Sequence, residues 1–338
     1  MKGSDVIKTT VVGSYPVPDW LRALPSRDSM RDAVMAVMKV QELAGIDVIS
    51  DGELARFDFN HPETNGMIDY FTRPMTNIDG QLGLAELQAF RAEQKMAYRL
   101  EPAGVIRGPV GAGTLNLADP YAMARALTSL PLKFTITSPY MLAKPLVDEH
   151  YGDLEARVLA LAEILGDQVA QIDAPVVQVD EANLPGTPED APIAARGINR
   201  VLRDCKAERG VHLCFGNYGG QTIQRGLFRD LLPFFNELEC DHLILEFARR
   251  GYDELEVFRD LKPEISLGLG VVDIKDNEVE TADDLARRIE GAVGLLGAER
   301  IKWVHPDCGF WMLQRSVADR KIEALVAGRD LFESAGRG

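Results

Sequence analysis

Cysteine is scarce in this chain, four in 338 residues, and none of the four falls in the paired spacing that staples small secreted folds. A disulfide framework is excluded as the source of stability, and each thiol has to be judged by its neighbours. Positive charge is also in the minority: 37 Lys and Arg stand against 52 Asp and Glu, a formal charge of −15. Such a surface repels phosphate backbones and anionic headgroups, so neither nucleic acid nor a membrane surface is a fitting partner. No hydrophobic run approaches the roughly 20 residues needed to cross a bilayer. The opening MKGSDVIKTTVVG has no apolar stretch long enough for a signal peptide. A cytoplasmic protein is expected.

What the chain does have is alternation. Apolar, β-branched runs that end in polar residues recur in order: KTTVVGSYP, GIDVISDGE, LKFTITSPY, VVQVDEANL, GVHLCFGN, HLILEFA, EISLGLGVVDIK and RIKWVHPDCG. Between them lie stretches with apolar residues at three- and four-residue spacing, such as SMRDAVMAVMKVQELA, DLEARVLALAEILGDQVAQI, PIAARGINRVLRDCKAE, LFRDLLPFFNELE, YDELEVFRDL and TADDLARRIEGAVGLLG. Strand and helix alternating in this way predict an α/β fold, a parallel (β/α)8 TIM barrel spanning residues 1–338 as one domain. Residues from about 56 to 116 break the rhythm and read as an insertion after the second strand, a lid or a partner surface. Within it AELQAFRAEQKMAYRL reads as helix and AGVIRGPVGAGTLNL as a glycine-turned hairpin.

Barrel active sites gather at the C-terminal ends of the strands, so Ser14, Glu53, Asp180, His212, Cys214, Glu246, Asp273 and Cys308 are expected around one mouth. His212 and Cys214, two apart in a strand, share a face. With Glu246 and Cys308 they offer one nitrogen, two sulfurs and one oxygen, a donor set that suits zinc. Each also has a plain structural use, as a packed or capping residue. Cys205 and Cys240 fall on helical stretches and are read as packing residues. Tyr15, Phe215, Trp303 and Phe310 flank the polar positions, as a substrate wall or as core.

The H-x-C of HLC, the Glu of LEF, the GVVDI turn and the PDCG turn stand in an order that resembles the catalytic barrel of the cobalamin-independent methionine synthases. The resemblance runs from TTVVGSYP to HPDCGF. It implies that His212, Cys214, Glu246 and Cys308 bind Zn2+, and that homocysteine is held by the turn Val12, Gly13 and Ser14 with Glu53 of SDGE and Asp180 of QVDE. An amino-acid ligand suits those groups: amide N–H groups near Ser14 for its carboxylate, Glu53 and Asp180 for its ammonium.

The sequence departs from the family on the donor side. The family's D-I-H reads DIK here, placing Lys275 where the catalytic imidazole stands; FWMLQR replaces L-K-T-R; the W-S pair is missing from TSPYMLAK. Full-length relatives carry a second barrel that helps bind folate. Methyl-folate and a methylcorrinoid protein are therefore both candidate donors, with Asp273 and Lys275 as candidate catalytic groups. Two other readings stay open: alkyl transfer to a different thiol, as in the epoxide:coenzyme M transferases, and a noncatalytic zinc-binding protein. Oligomeric state is not legible.

Overall fold

A computed structural model describes residues 6–59, 66–93, 101–217 and 224–335. Ten strands appear in chain order: β1 (Lys8–Thr9), β2 (Thr76–Asp79), β3 (Gly104–Gly111), β4 (Phe134–Thr137), β5 (Leu146–Asp148), β6 (Val176–Glu181), β7 (Glu208–Leu213), β8 (His242–Glu246), β9 (Ser266–Val272) and β10 (Ile301–Pro306). Seven form one parallel sheet in the order β1-β10-β9-β8-β7-β6-β4. Their residues are buried almost without interruption, as strands covered on both faces must be.

The sheet is curled. Parallel bridges join Thr10 to Val48 and Ile49 to Leu132, so the segment Val48–Ile49 stands between β1 and the residues leading into β4. Eight strand positions follow one another in this way, consistent with the expected barrel. Helices alternate with the strands and start where side chains can satisfy the first free amides. Ser26 accepts from the Ser29 amide before the helix Arg27–Ala44, and Asp153 from the Ala156 amide before Leu154–Val169. Among the described residues no helix is long and apolar enough to cross a membrane.

Four local expectations are corrected. Residues 103–117 are not a hairpin: β3 is a single strand, antiparallel to β2 on one side and parallel to β5 on the other. Gly113, just past β3, serves close approach, since a Cβ there (φ +58°) would lie 2.1 Å from the Pro74 carbonyl oxygen. The run at 252–261 forms a 3-10 helix, Leu255–Asp260, rather than an α-helix. Cys205 and Cys240 both lie beyond helix ends, after Ala191–Leu202 and Phe228–Glu237 respectively. Helix Leu84–Glu93 is present as predicted, while 94–100 lie outside the described residues.

The sequence reading also passes over a 21-residue helix, Arg315–Ala335, which packs on the helices Arg27–Ala44 and Ala282–Leu296. From it Arg329 donates to the Ile7 carbonyl and to Asp47, both at 2.7 Å.

Candidate metal centre

His212 ends up near the end of β7, Cys214 just past it, Glu246 at the last position of β8 and Cys308 just past β10. The ligand atoms of His212, Cys214 and Cys308 all lie within 4.8 Å of one another. His212 Nδ1 is 2.9 Å from the Ile244 carbonyl, so this nitrogen carries the proton and donates, leaving Nε2 to face the Cys308 sulfur at 3.7 Å. Burial alone would lower the His212 pKa. The Cys308 contact and charge and the Asp180 carboxylate outweigh it and bring it up to about 9. The two sulfurs are shifted in opposite directions: a hydrogen bond from Cys214, then His212, holds Cys308 well below the ordinary thiol range, and Cys214 is raised by the same bond.

Glu246 stands outside that three-membered group. It is 1% exposed, and neither carboxylate oxygen has a hydrogen-bond partner among the described residues. Its nearest cation is Lys275 Nζ at 3.7 Å, itself buried. Burial pushes the Glu246 pKa up to about 7 against the pull of Lys275. A carboxylate buried without hydrogen bonds is costly. One further cation beside it and the two thiols would answer that cost, so the residues present fit a bound zinc ion.

The second group of predicted residues lies beneath the turn after β1. Gly13 is required there, because a Cβ would fall 2.0 Å from Glu53 Oε1. The carbonyls of Val12, Gly13 and Ser14 accept from Gln178 Nε2 (2.9 Å), Ser50 Oγ (2.9 Å) and the Phe310 amide (2.8 Å). Glu53, with a left-handed backbone (φ 57°), takes the Thr135 hydroxyl at 2.7 Å and faces Arg56 at 3.3 Å. Asp180 sits opposite His212 in the β6–β7 register and accepts from Gln178 at 2.6 Å. Burial first, then the Glu53 charge, pushes its pKa up to about 7.

Lys133, Thr135 and Gln178 were not singled out from sequence, yet they organise this pocket. Lys133 Nζ donates to Gln178 Oε1 at 2.7 Å, and burial brings its pKa down to about 7. A signal was there: Lys133 and Thr135, like Gln178 and Asp180, are two apart in their runs and so share the inward face. Asp273 is engaged elsewhere, 3.1 Å from Arg249 and accepting the Lys275 amide. Of the flanking aromatics, Tyr15 meets Phe310 edge-on, Phe215 lies under the Arg250 guanidinium, and Trp303 stacks on His242.

Against known families, residues 7–329 match the profile described as "Cobalamin-independent synthase, Catalytic domain". A methionine synthase of Pyrococcus abyssi is 29% identical, with 98% of this chain and 96% of that protein aligned. One from Thermococcus kodakarensis is 28% identical over 96% of this chain and 93% of its own. Among solved structures, a B12-independent methionine synthase from a Shewanella species, in complex with selenomethionine, superposes with a TM-score of 0.81 at 20% identity, covering 98% and 99% of the two chains. A putative vitamin-B12 independent methionine synthase from Listeria monocytogenes gives 0.72 at 18%, again over 98% and 99%.

Proposed function

The chain belongs to the cobalamin-independent synthase catalytic-domain family, and from that premise we propose that it is a zinc-dependent methyltransferase converting homocysteine to methionine. The observation that carries the reading is the meeting of His212, Cys214 and Cys308 within 4.8 Å beside the bare carboxylate of Glu246. We take these four as the zinc ligands, on a single (β/α)8 barrel closed at Val48–Ile49, with residues 56–116 as an excursion over or beside the mouth. A cytoplasmic setting fits free thiols throughout.

Zinc, when bound, supplies the positive charge that keeps a sulfur nucleophile ionised near neutral pH. The protein's own groups do the rest. Glu53 and Asp180 receive the substrate ammonium, and amides of the Val12–Ser14 turn receive its carboxylate. Their hold on both ends of the amino acid orients its thiol toward the rim. The S–C bond then forms as the donor's bond to the methyl group breaks, and the donor leaves with the electron pair. Lys275 Nζ lies 3.7 Å from Glu246, at the position of the family's imidazole, and Asp273 fixes the Lys275 backbone. The donor is a methyl-folate or a methylcorrinoid protein. The alignments with the Pyrococcus abyssi and Thermococcus kodakarensis proteins cover 96% and 93% of those relatives.

The test is metal analysis joined to a methylation assay. About one zinc per chain and methionine formed from homocysteine with either donor are expected. Well-folded protein without zinc, or a zinc protein that methylates other thiols and leaves homocysteine untouched, would sink the reading.

A further inference from the structure

The turn Asp307–Phe310 binds loops from three other parts of the rim. Its Phe310 amide goes to Ser14, its Gly309 carbonyl accepts Asn217 Nδ2 at 3.2 Å, and its Asp307 side chain reaches toward β8. Asp307 Oδ1 takes the amides of Phe247 and Ala248, both at 2.9 Å, and Oδ2 takes that of Arg249 at 3.0 Å. These are the three residues that follow Glu246. Because β9 runs between β10 and β8, the carboxylate has to pass over it. It does so above Gly270, the register partner of Glu246, where a Cβ would lie 2.4 Å from Asp307 Oδ1.

We propose that Asp307 is a positioning residue whose grip on the amides of 247–249 sets the Glu246 carboxylate at the rim and so completes the candidate metal shell. The three amides satisfy Asp307 itself, and what they do not satisfy is its neighbour. The placement holds a second buried carboxylate near Glu246, which has Lys275 Nζ at 3.7 Å and no hydrogen-bond partner among the described residues, an arrangement that a further cation makes more favourable. Asp307 also precedes Cys308 directly, so the turn that carries one donor reaches the strand end that carries another. Carboxylates that orient ligands from behind commonly govern metal affinity as strongly as they govern geometry.

This inference rests on the zinc reading above, and its test separates the two. Zinc affinity is measured by chelator competition for the native protein, Asp307→Asn, Glu246→Gln and the double variant, with circular dichroism to check the fold. Asp307→Asn should weaken zinc binding about 10–100-fold. Adding it to Glu246→Gln should cost nothing further, because both changes remove the same donor. The cobalt-substituted Asp307→Asn protein should keep its thiolate charge-transfer bands while its d–d bands move to those of Glu246→Gln. Native-like affinity in Asp307→Asn, or losses that add in the double variant, would overturn the inference and leave the zinc reading standing. A native protein that binds no zinc overturns both. Should Asp307→Asn not fold, Asp307→Ser keeps one acceptor and is compared in the same cycle.

Discussion

The metal rim and the pocket under the Val12–Ser14 turn are both buried and both polar, yet they are balanced in opposite ways. In the pocket, Glu53 has Arg56 and Thr135, Asp180 has Gln178, and Lys133 has the other end of Gln178. At the rim, three donors converge and both Glu246 oxygens lack hydrogen bonds among the described residues. Each pocket group named has a side-chain partner as folded, whereas at the rim the Glu246 carboxylate has Lys275 Nζ at 3.7 Å and no hydrogen bond among the described residues. Buried polar clusters with their groups paired rigidify the fold around them, and a buried polar group left unpaired calls for an ion or another partner.

That contrast is broken most severely by removing a sulfur. Cys308→Ala should reduce bound zinc from about one per chain to a trace, and methyl transfer by more than ~100-fold, since loss of a ligand exceeds the ~10–100-fold typical of an outer partner. Equal metal content in the variant would show that the rim is not the site. Next, Asp180→Asn should raise KM for homocysteine by about tenfold to a hundredfold, the worth of a charged hydrogen bond, with zinc content unchanged. A fall in zinc instead would merge the two regions into one.

A third measurement concerns stability without metal. The Glu246 pKa is raised from 4.5 to about 7 in the folded chain, mainly by burial. Between those values the native state binds more protons than the unfolded one, so stability falls as pH rises from about 5 to 8. Glu246→Gln should flatten this slope and stabilise the metal-free protein at pH 8 by about 3–4 kcal/mol, following ~1.4 kcal/mol per pKa unit. Chelator-treated protein whose denaturation midpoint is level across that range would remove the claim that the rim is frustrated. The smallest effect belongs to Cys205→Ser, half-buried in a turn away from both regions. Zinc content should not move, and stability should change by less than about 1 kcal/mol.

The rim was largely legible in the sequence. Its donors sit at the ends of strand runs, and parallel strands bring their ends to one side whatever the loops do. The pocket was legible only by half. Glu53 and Asp180 stood out through a resemblance, but their partners come from strands distant in sequence, and only the inward alternation of Lys133 and Thr135 hinted at them. Glycine misled at 103–117, where it marks backbones passing closely and not a reversal between paired strands. The final helix escaped notice because its buried face includes Lys321 and Arg329, charges that interrupt the apolar spacing. Each finds a partner: Lys321 reaches Glu280, and Arg329 reaches Asp47.

Arg329 also bears on how the molecule is made. It clasps Ile7 and Asp47, and β1 hydrogen-bonds to β10. The first strand synthesised therefore waits for the last. During translation, at roughly 5–20 residues per second, the stretch holding Val12, Gly13 and Ser14 has one flank bare until residues beyond 300 have left the ribosome. Until then the pocket under that turn has no wall on that side.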